Sequence, residues 1–338
     1  MVRSFPDRPY ITNAFGHSRV RQVSELLWTL TPMLLVPGVS RPGVSRLNAR
    51  LLGRQIRRSV RRLGLRDVLL WVYPPEFVHA VARVPHTKLV ADLVDDFVEY
   101  EVEASRKAYV RTCTRELMAA ADVALCTTGG LAQTYRPEAS VVPNGYDAEL
   151  FDAGTTPVPG IRSTGPVVGF VGTMFRYLDY DLLGRIAEEI PGLKLVLVGR
   201  IADNSPQLAR LLAKDNVMHV GPVAREQVPG YIASFDVCLV PFKVDALSRN
   251  VSPLKAYEYL AMGKPVVSVP MPSLGADPAA ASVVYAEDQN EFVAAVRSCI
   301  DSPDAYVPDA EQVRQASWDG RFETARHAVE PLLAEEPR

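Results

Sequence analysis

Short apolar runs rich in β-branched residues recur along the chain, separated by longer segments with helical spacing. In the first half they fall at 9–14, 33–36 (MLLV), 68–73 (VLLWVY), 88–91, 122–126 (DVALC) and 140–142. In the second half they fall at 166–171 (PVVGFV), 194–198 (KLVLV), 217–220, 236–240 (DVCLV), 265–269 (PVVSV) and 283–285. Runs that are apolar throughout, rather than alternating, suit parallel strands covered on both faces. The strand-then-helix order implies an α/β fold. The stretch DAGTTPVPGIRSTGP at 152–166 has no apolar period and is full of Gly, Pro, Thr and Ser, the composition of a linker. The pattern therefore predicts two doubly wound, Rossmann-like domains: 1–152, a linker at 153–166, and 167–317. A terminal helix is expected within 318–338, with a return onto the N-terminal domain as one arrangement.

Composition narrows the function. With 338 residues the chain exceeds what one core usually fills, and 48% apolar and 22% charged residues are ordinary for a globular protein. A net charge of −2 argues against a nucleic-acid coat. The N-terminus has no apolar leader and no stretch is long enough to span a bilayer, so a cytoplasmic protein is expected. The four cysteines form no C-x-x-C pair and read as reduced, buried thiols rather than a metal or redox site.

One segment departs from this even balance. Between Arg41 and Arg66 there are nine arginines and no Asp or Glu. Leu47, Leu51, Ile56, Val60 and Leu63 recur at helical spacing, and Arg46, Arg50, Arg54, Arg57 and Arg61 follow another stripe. Such a basic amphipathic helix is either a solvated face or a surface for anionic lipid or an anionic acceptor, and the second reading would put the protein peripherally at the inner face of the membrane.

Candidate chemistry concentrates in SPLKAYEYLAMGKPVV at 252–267. Ser252 as N-cap, Pro253 at the first helical position, Gly263 as the stop and Pro265 beyond it predict a helix over 253–262. Lys255 stands in the first turn, where the helix dipole disfavours a cation. Glu258, in register with Leu254 and Ala261, is expected to face inward, where a carboxylate is costly. A bound phosphate at the helix start would reconcile both, with Lys255 and the free N–H groups holding it and Glu258 accepting from ligand hydroxyls. The plainer alternative is an ion pair between Lys255 and Glu258. In PVVGFVGTMFRY, Gly169 and Gly172 bracket a strand end, Gly172–Thr173 would permit close backbone approach, and Arg176 would add charge. No P-loop and no G-x-G-x-x-G occur, which disfavours nucleotide hydrolysis and dinucleotide redox chemistry.

Six segments in order carry a resemblance: VVPNGYDAELF (141–151), VVGFVGT (167–173), LKLVLVGR (193–200), NVMHVGPV (216–223), DVCLVPF (236–242) and SPLKAYEYLAMGKPVVS (252–268). Together they resemble the donor domain of GT-B glycosyltransferases of the retaining family-four type. HSRVRQVSELL (17–27) resembles the arginine-bearing first helix of the teichuronic-acid-type branch, and VADLVDDF (90–97) its acidic strand-end motif. The resemblance implies two domains facing a cleft that binds a nucleotide-diphosphate sugar. Gly172, Thr173, Ser252, Pro253, Leu254 and Lys255 would hold the diphosphate, with Arg176 assisting. Glu258 matches the second glutamate of the family's E-x(7)-E pattern and would bind the ribose, and Arg200 and Val223 would contact base and ribose. The first glutamate of that pattern, which faces the transferred sugar, is Asn250 here, and its uncharged amide would bind a donor hydroxyl.

The resemblance further implies transfer of a sugar to an acceptor hydroxyl, with retention, without a metal, and with no cofactor beyond the sugar nucleotide as co-substrate. The acceptor, a glycan, a glycolipid or a secondary metabolite, would sit on the first domain. Asp92 and Asp95 would orient or deprotonate it, and Gly16, His17, Arg21 and Asp96 would bind it. Helix capping is the alternative role for the acidic group. Asn250 keeps open a catalytically silent sugar-nucleotide-binding scaffold, and a sugar-nucleotide epimerase is a third reading.

Overall fold

The computed structural model describes residues 19–33, 42–101, 103–162, 164–245 and 248–334. The strands are β1 (Arg19–Ser24), β2 (Leu27–Thr31), β3 (Leu69–Val72), β4 (Lys88–Leu93), β5 (Val123–Cys126), β6 (Ser140–Val141), β7 (Val167–Val171), β8 (Lys194–Val198), β9 (Val217–Gly221), β10 (Val237–Val240), β11 (Val266–Ser268) and β12 (Val284–Tyr285). They form three sheets, ordered β1-β2, β3-β4-β5-β6 and β12-β11-β10-β7-β8-β9. Ten of the twelve expected runs become strands; 9–14 and 34–36 lie outside the described residues.

The chain divides into two compact units, one of Met1–Cys126, Leu131–Ser140 and His327–Arg338, the other of Thr127–Gly130 and Val141–Arg326. The segment expected as a linker packs into the second unit. Ile161 belongs to its core, and the Val158 N–H donates to Gly230 O at 3.1 Å. Gly and Pro marked an irregular path there, but Ile161 supplied an apolar anchor that the composition argument overlooked. The expected terminal helix spans Trp318–Ala334, and its residues group with the second unit up to Arg326 and with the first from His327.

In the first unit β3, β4 and β5 pair in parallel, in register Val72–Ala91 and Leu93–Cys126 at their ends. Their inward residues, with Leu117, Met118 and Leu131, make its core. The Pro42–Arg62 helix buries Ser45, Asn48, Ala49, Leu52, Gly53 and Val60. This stripe differs from the one expected: Leu47 is 45% exposed and lies among the arginines. Small residues face the protein because the Ala80–Arg83 turn approaches closely; a Cβ on Gly53 would lie 2.8 Å from Ala80 O.

The segment expected as a first helix at 17–27 is instead an antiparallel hairpin from Arg19 onward, with Val20 opposite Leu30 and Gln22 opposite Trp28. Half-buried Val20, Trp28 and Leu30 share one face while their neighbours are exposed, the period of two of a strand. The β-branched Val20, Val23, Thr29 and Thr31 favour that choice.

In the second unit every strand pairing is parallel. Read from β9, the order is 3-2-1-4-5-6, the doubly wound arrangement whose connections diverge between β7 and β10. The four cysteines are free and buried. No helix among the described residues is long and apolar enough to cross a membrane.

Candidate active site

In open parallel sheets ligands bind beyond the carboxyl ends of the strands, at the point where the connections diverge. Here that point is marked by Gly172 after β7 and by Phe242 shortly after β10. Gly172 has φ +152° and Gly199, after β8, has φ +137°. A Cβ on Gly199 would collide with the carbonyl of Gly172, so the two turns touch through their backbones. The Gly172 N–H donates to Val198 O, and the Gly199 N–H to Gly221 O, both at 2.9 Å. Gly169 lies inside β7, where the Phe235 ring occupies the space of a side chain; its role is packing.

The helix opposite this turn is Leu254–Ala261. It ends as the sequence predicted. Gly263 takes φ +69°, its N–H donates to Leu260 O at 2.9 Å, and the Lys264 N–H donates to Tyr259 O at 3.1 Å, a Schellman closure. Its start differs. Pro253 is the N-cap and provides no side-chain cap. Ser252 is clasped instead by Asn144, whose N–H donates to Ser252 Oγ (3.1 Å) and whose Nδ2 donates to Ser252 O (2.7 Å). Asn144 thus fixes the loop entering the helix, a function its place in the Asn-Gly turn at 144–145 did not disclose. Asn144→Ala is expected to cost about 1 kcal/mol of stability in urea denaturation, through the lost Nδ2 hydrogen bond to Ser252 O, while the backbone N–H keeps its bond to Ser252 Oγ.

Lys255 projects from the first turn toward Gly172; a Cβ on Gly172 would lie 3.2 Å from Lys255 Cε. Its ammonium sits 4.9 Å from the Phe242 ring centroid and 5.4 Å from that of Phe170. Part of the side chain stays open to solvent, while protein encloses the ammonium on its other sides. Burial pushes its pKa down to about 8, against the opposing pull of Glu258. Glu258 is 8% exposed, and burial pushes its pKa up to about 7 while Lys255 and Arg225 pull it down. The two do not form a close ion pair. The alternative reading of a Lys255–Glu258 bridge therefore fails, and each group remains costly without a ligand.

Tyr259 adds a contact that the sequence did not reveal. Its hydroxyl accepts the Val171 N–H at 2.8 Å, tying the helix to the residue before Gly172. Arg225 is a second omission: it lies near enough to Glu258 to lower its pKa and pairs with Asp147 at 3.7 Å. The Thr173 carbonyl accepts from Tyr177 Oη at 2.9 Å. Arg176 is exposed, with its guanidinium 5.5 Å from the Phe175 ring. Arg200 is exposed after β8, and Val223 is half-buried after β9. Asn250 closes the Ser248–Asn250 turn, and its Oδ1 lies where a Cβ on Gly130 would stand.

The acidic group of the first unit divides in role. Asp96 is buried and caps Phe97–Tyr100, accepting the Glu99 N–H at 3.4 Å, so capping holds for this residue. Asp92, within β4, accepts from Trp71 Nε1 at 2.9 Å, and burial pushes its pKa up to about 6. Asp95 accepts from Tyr100 Oη and the Asp96 N–H, both at 2.9 Å, and burial again pushes its pKa up to about 6. Arg21 lies on the exposed face of the hairpin. Gly16 and His17 lie outside the described residues. Among the described residues no cluster of His, Cys, Asp and Glu has the arrangement of a metal site.

Comparison with known proteins agrees with this architecture. Residues 165–302 match the family model described as glycosyl transferases group 1. TuaH of Bacillus subtilis, a glycosyltransferase assigned to teichuronic acid biosynthesis, is 30% identical over 179 residues, covering 50% of this chain and 45% of its own. The D-inositol 3-phosphate glycosyltransferase of Mycolicibacterium smegmatis is 25% identical over 281 residues, covering 78% of this chain and 62% of its own. The chain thus spans less than two thirds of the length of either relative. Among solved structures, sucrose-phosphate synthase from Thermosynechococcus elongatus superposes with a TM-score of 0.73 at 16% identity, covering 97% of this chain and 87% of that one. Anabaena HepE, in complex with UDP and glucose, gives 0.62 at 17% identity, covering 83% and 81%. The fold is that of the GT-B glycosyltransferases, and residues 165–302 match the glycosyl transferases group 1 model.

Proposed function

We propose that the protein moves a sugar from a nucleotide-diphosphate sugar to an acceptor hydroxyl, with retention of configuration and without a metal ion. The observation that carries this reading is the Lys255 ammonium, unpaired by Glu258 and held at the start of the Leu254–Ala261 helix beside Gly172. A diphosphate there would meet the ammonium, the unpaired N–H groups of the helix start and the Gly172–Thr173 turn, with Arg176 as a second cation. Glu258, one turn further on, would accept from the ribose hydroxyls, while Arg200 and Val223 would contact base and ribose. Fixed positive charge of this kind stabilises the departing nucleoside diphosphate.

The sugar C1–O bond breaks with its electron pair passing to the β-phosphate. The acceptor oxygen attacks C1 from the same face, and its proton goes to the departing phosphate oxygen. No protein nucleophile is needed. The acceptor is assigned to the first unit, with Asp92 and Asp95 orienting its hydroxyl and Arg21 binding it. The arginines of the Pro42–Arg62 helix supply contact with an anionic surface. That HepE was solved with UDP and glucose favours a uridine donor.

Asn250 supports a second reading, a sugar-nucleotide-binding protein without turnover, since an amide packed against Gly130 replaces a carboxylate. Thermal unfolding with UDP, GDP, dTDP and their glucose conjugates, followed by product analysis with candidate acceptors, separates the possibilities. A nucleotide at a hundredfold excess over its Kd adds about 2.7 kcal/mol of stability. A stabilising nucleotide with sugar transfer confirms the enzyme, and stabilisation without transfer to any acceptor favours the silent protein. An epimerised donor would reveal the third chemistry, and no stabilisation by any nucleotide overturns the donor site.

A further inference from the structure

The β1–β2 hairpin carries an unusual concentration of exposed apolar surface. Leu26, in its turn, is 87% exposed, and Val23 and Leu27 beside it are 56% and 51% exposed. Two strands alone are marginally stable in water, and this pair joins neither larger sheet. The chain beyond the hairpin is pinned to the arginine helix. Gln55 accepts the Met33 N–H and donates to Met33 O, both at 2.9 Å.

That helix holds seven arginines and no acid between Pro42 and Arg62, all seven exposed. At 3.6 residues per turn they occupy an arc of about 160° opposite the buried stripe. Arg46 leans on the Tyr109 ring at 5.5 Å, and none of the seven forms an ion pair with a described residue. Leu47 sits among them, 45% exposed. Arg19 and Arg21 extend the positive charge onto the hairpin, where Glu25 is the one acid.

We propose that the hairpin tip is a membrane-inserting element, with Val23, Leu26 and Leu27 entering the acyl boundary of an anionic bilayer while the arginine helix engages its head groups. The two parts call for different chemistry. Head groups satisfy the guanidinium groups, and only an apolar phase relieves the exposed leucines and valine. A nucleic acid would satisfy the first and leave the second in water. The inference builds on the anionic surface assigned to the arginines and adds a buried anchor to it.

The test measures partition of the full chain onto vesicles of phosphatidylcholine with 30 mol% phosphatidylglycerol and onto pure phosphatidylcholine, in ~0.1 M and ~0.5 M salt. Because the native cysteines are buried, a Leu26→Cys variant labelled with an environment-sensitive dye reports the tip alone. The dye is expected to shift to the blue on anionic vesicles. Leu26→Ser/Leu27→Ser is expected to weaken partition at least tenfold. Arg54→Gln/Arg61→Gln is expected to weaken it about twentyfold at low salt. Glu25→Gln should strengthen it. Unchanged melting temperature and unchanged stabilisation by nucleotide certify the fold of each variant.

If only the arginine variant loses binding and the dye stays unshifted, the hairpin inference falls while the anionic surface stands. Absence of vesicle binding removes both, and preferential binding to RNA does the same. Concentration-dependent dimerisation of the free protein that Leu26→Ser/Leu27→Ser abolishes assigns the tip to a second copy of the chain and overturns insertion. None of these outcomes bears on the donor site, which nucleotide-induced stabilisation reads separately.

Discussion

Lys255→Met should lower kcat/KM for sugar transfer about 10³-fold and leave the ligand-free protein at least as stable as before. The two halves of this result belong together. The ammonium is surrounded by protein, faces Phe170 and Phe242, and lacks a close carboxylate. Without a ligand it is a cation held against burial, and its pKa falls to about 8 as a consequence. In the proposed reaction it would be the main positive charge against a departing diphosphate. Loss of one preorganised electrostatic contact of this kind typically costs 10²–10³ in kcat, and here the charge lost is a full one. Methionine keeps much of the length and apolar volume, so packing against the two rings survives.

The sign of the pH dependence follows. Below pH 8 both folded and unfolded chains hold the lysine proton, so the burial penalty is fully present. As pH rises from 8 toward the unfolded value of 10.5, the folded state sheds its proton first and the penalty is relieved. The stability advantage of Lys255→Met should therefore be largest near neutrality and shrink above pH 8. Chemical denaturation at pH 7 and pH 9.5 measures it, alongside steady-state kinetics. A variant that loses activity and stability in parallel would show that Lys255 serves packing instead.

The strands and the termination of the Leu254–Ala261 helix were legible because each rests on local physics. Apolar β-branched runs bounded by Gly and Pro admit few alternatives, and Gly263 with Pro265 announces a helix end whose hydrogen bonds are all local. Lys255 and Glu258 were legible for a different reason, since both violate the rules of stable helices. What remained hidden depends on partners far along the chain. Ser252 has the chemistry of an N-cap, yet Asn144, 108 residues earlier, claims its hydroxyl. Tyr259 reads as a core aromatic until its hydroxyl meets the Val171 N–H.

The helix expected at 17–27 rested on the segment's resemblance to a family helix, whereas its β-branched residues obey a period of two. Ile161 is one apolar residue in a polar stretch, too faint a signal to reveal that the supposed linker is packed. The acidic group 92–96 shows how one motif divides. Asp96 lies at a helix start and caps it, while Asp92 and Asp95 accept from Trp71 and Tyr100 and are pushed by burial to a pKa near 6.

Glu258→Gln is expected to raise KM for the donor 10- to 100-fold with little change in kcat, a different signature from that of Lys255→Met. In the proposed complex, ribose hydroxyls would donate to the carboxylate equally before and during transfer, so its loss would weaken ground state and transition state alike. Hydrogen bonds to a charged group contribute about 1.5–3 kcal/mol each, which sets the range. In the free protein the carboxyl carries a pKa near 7 because burial outweighs Lys255 and Arg225. The folded state therefore binds more protons than the unfolded state between pH 4.5 and 7, and stability falls as pH rises through that window. Above pH 7 the penalty is complete, so the ligand-free Glu258→Gln variant should be more stable than the parent there, with the difference vanishing below pH 4.5. Donor binding should reverse the shift, because hydroxyl donors favour the ionised carboxylate. Near pH 7 the parent should then release a fraction of a proton on binding UDP, seen as a heat that depends on the ionisation enthalpy of the buffer, and the variant should lose this release. Equal buffer dependence in parent and variant would remove Glu258 from the ribose site while leaving Lys255 in place against the diphosphate.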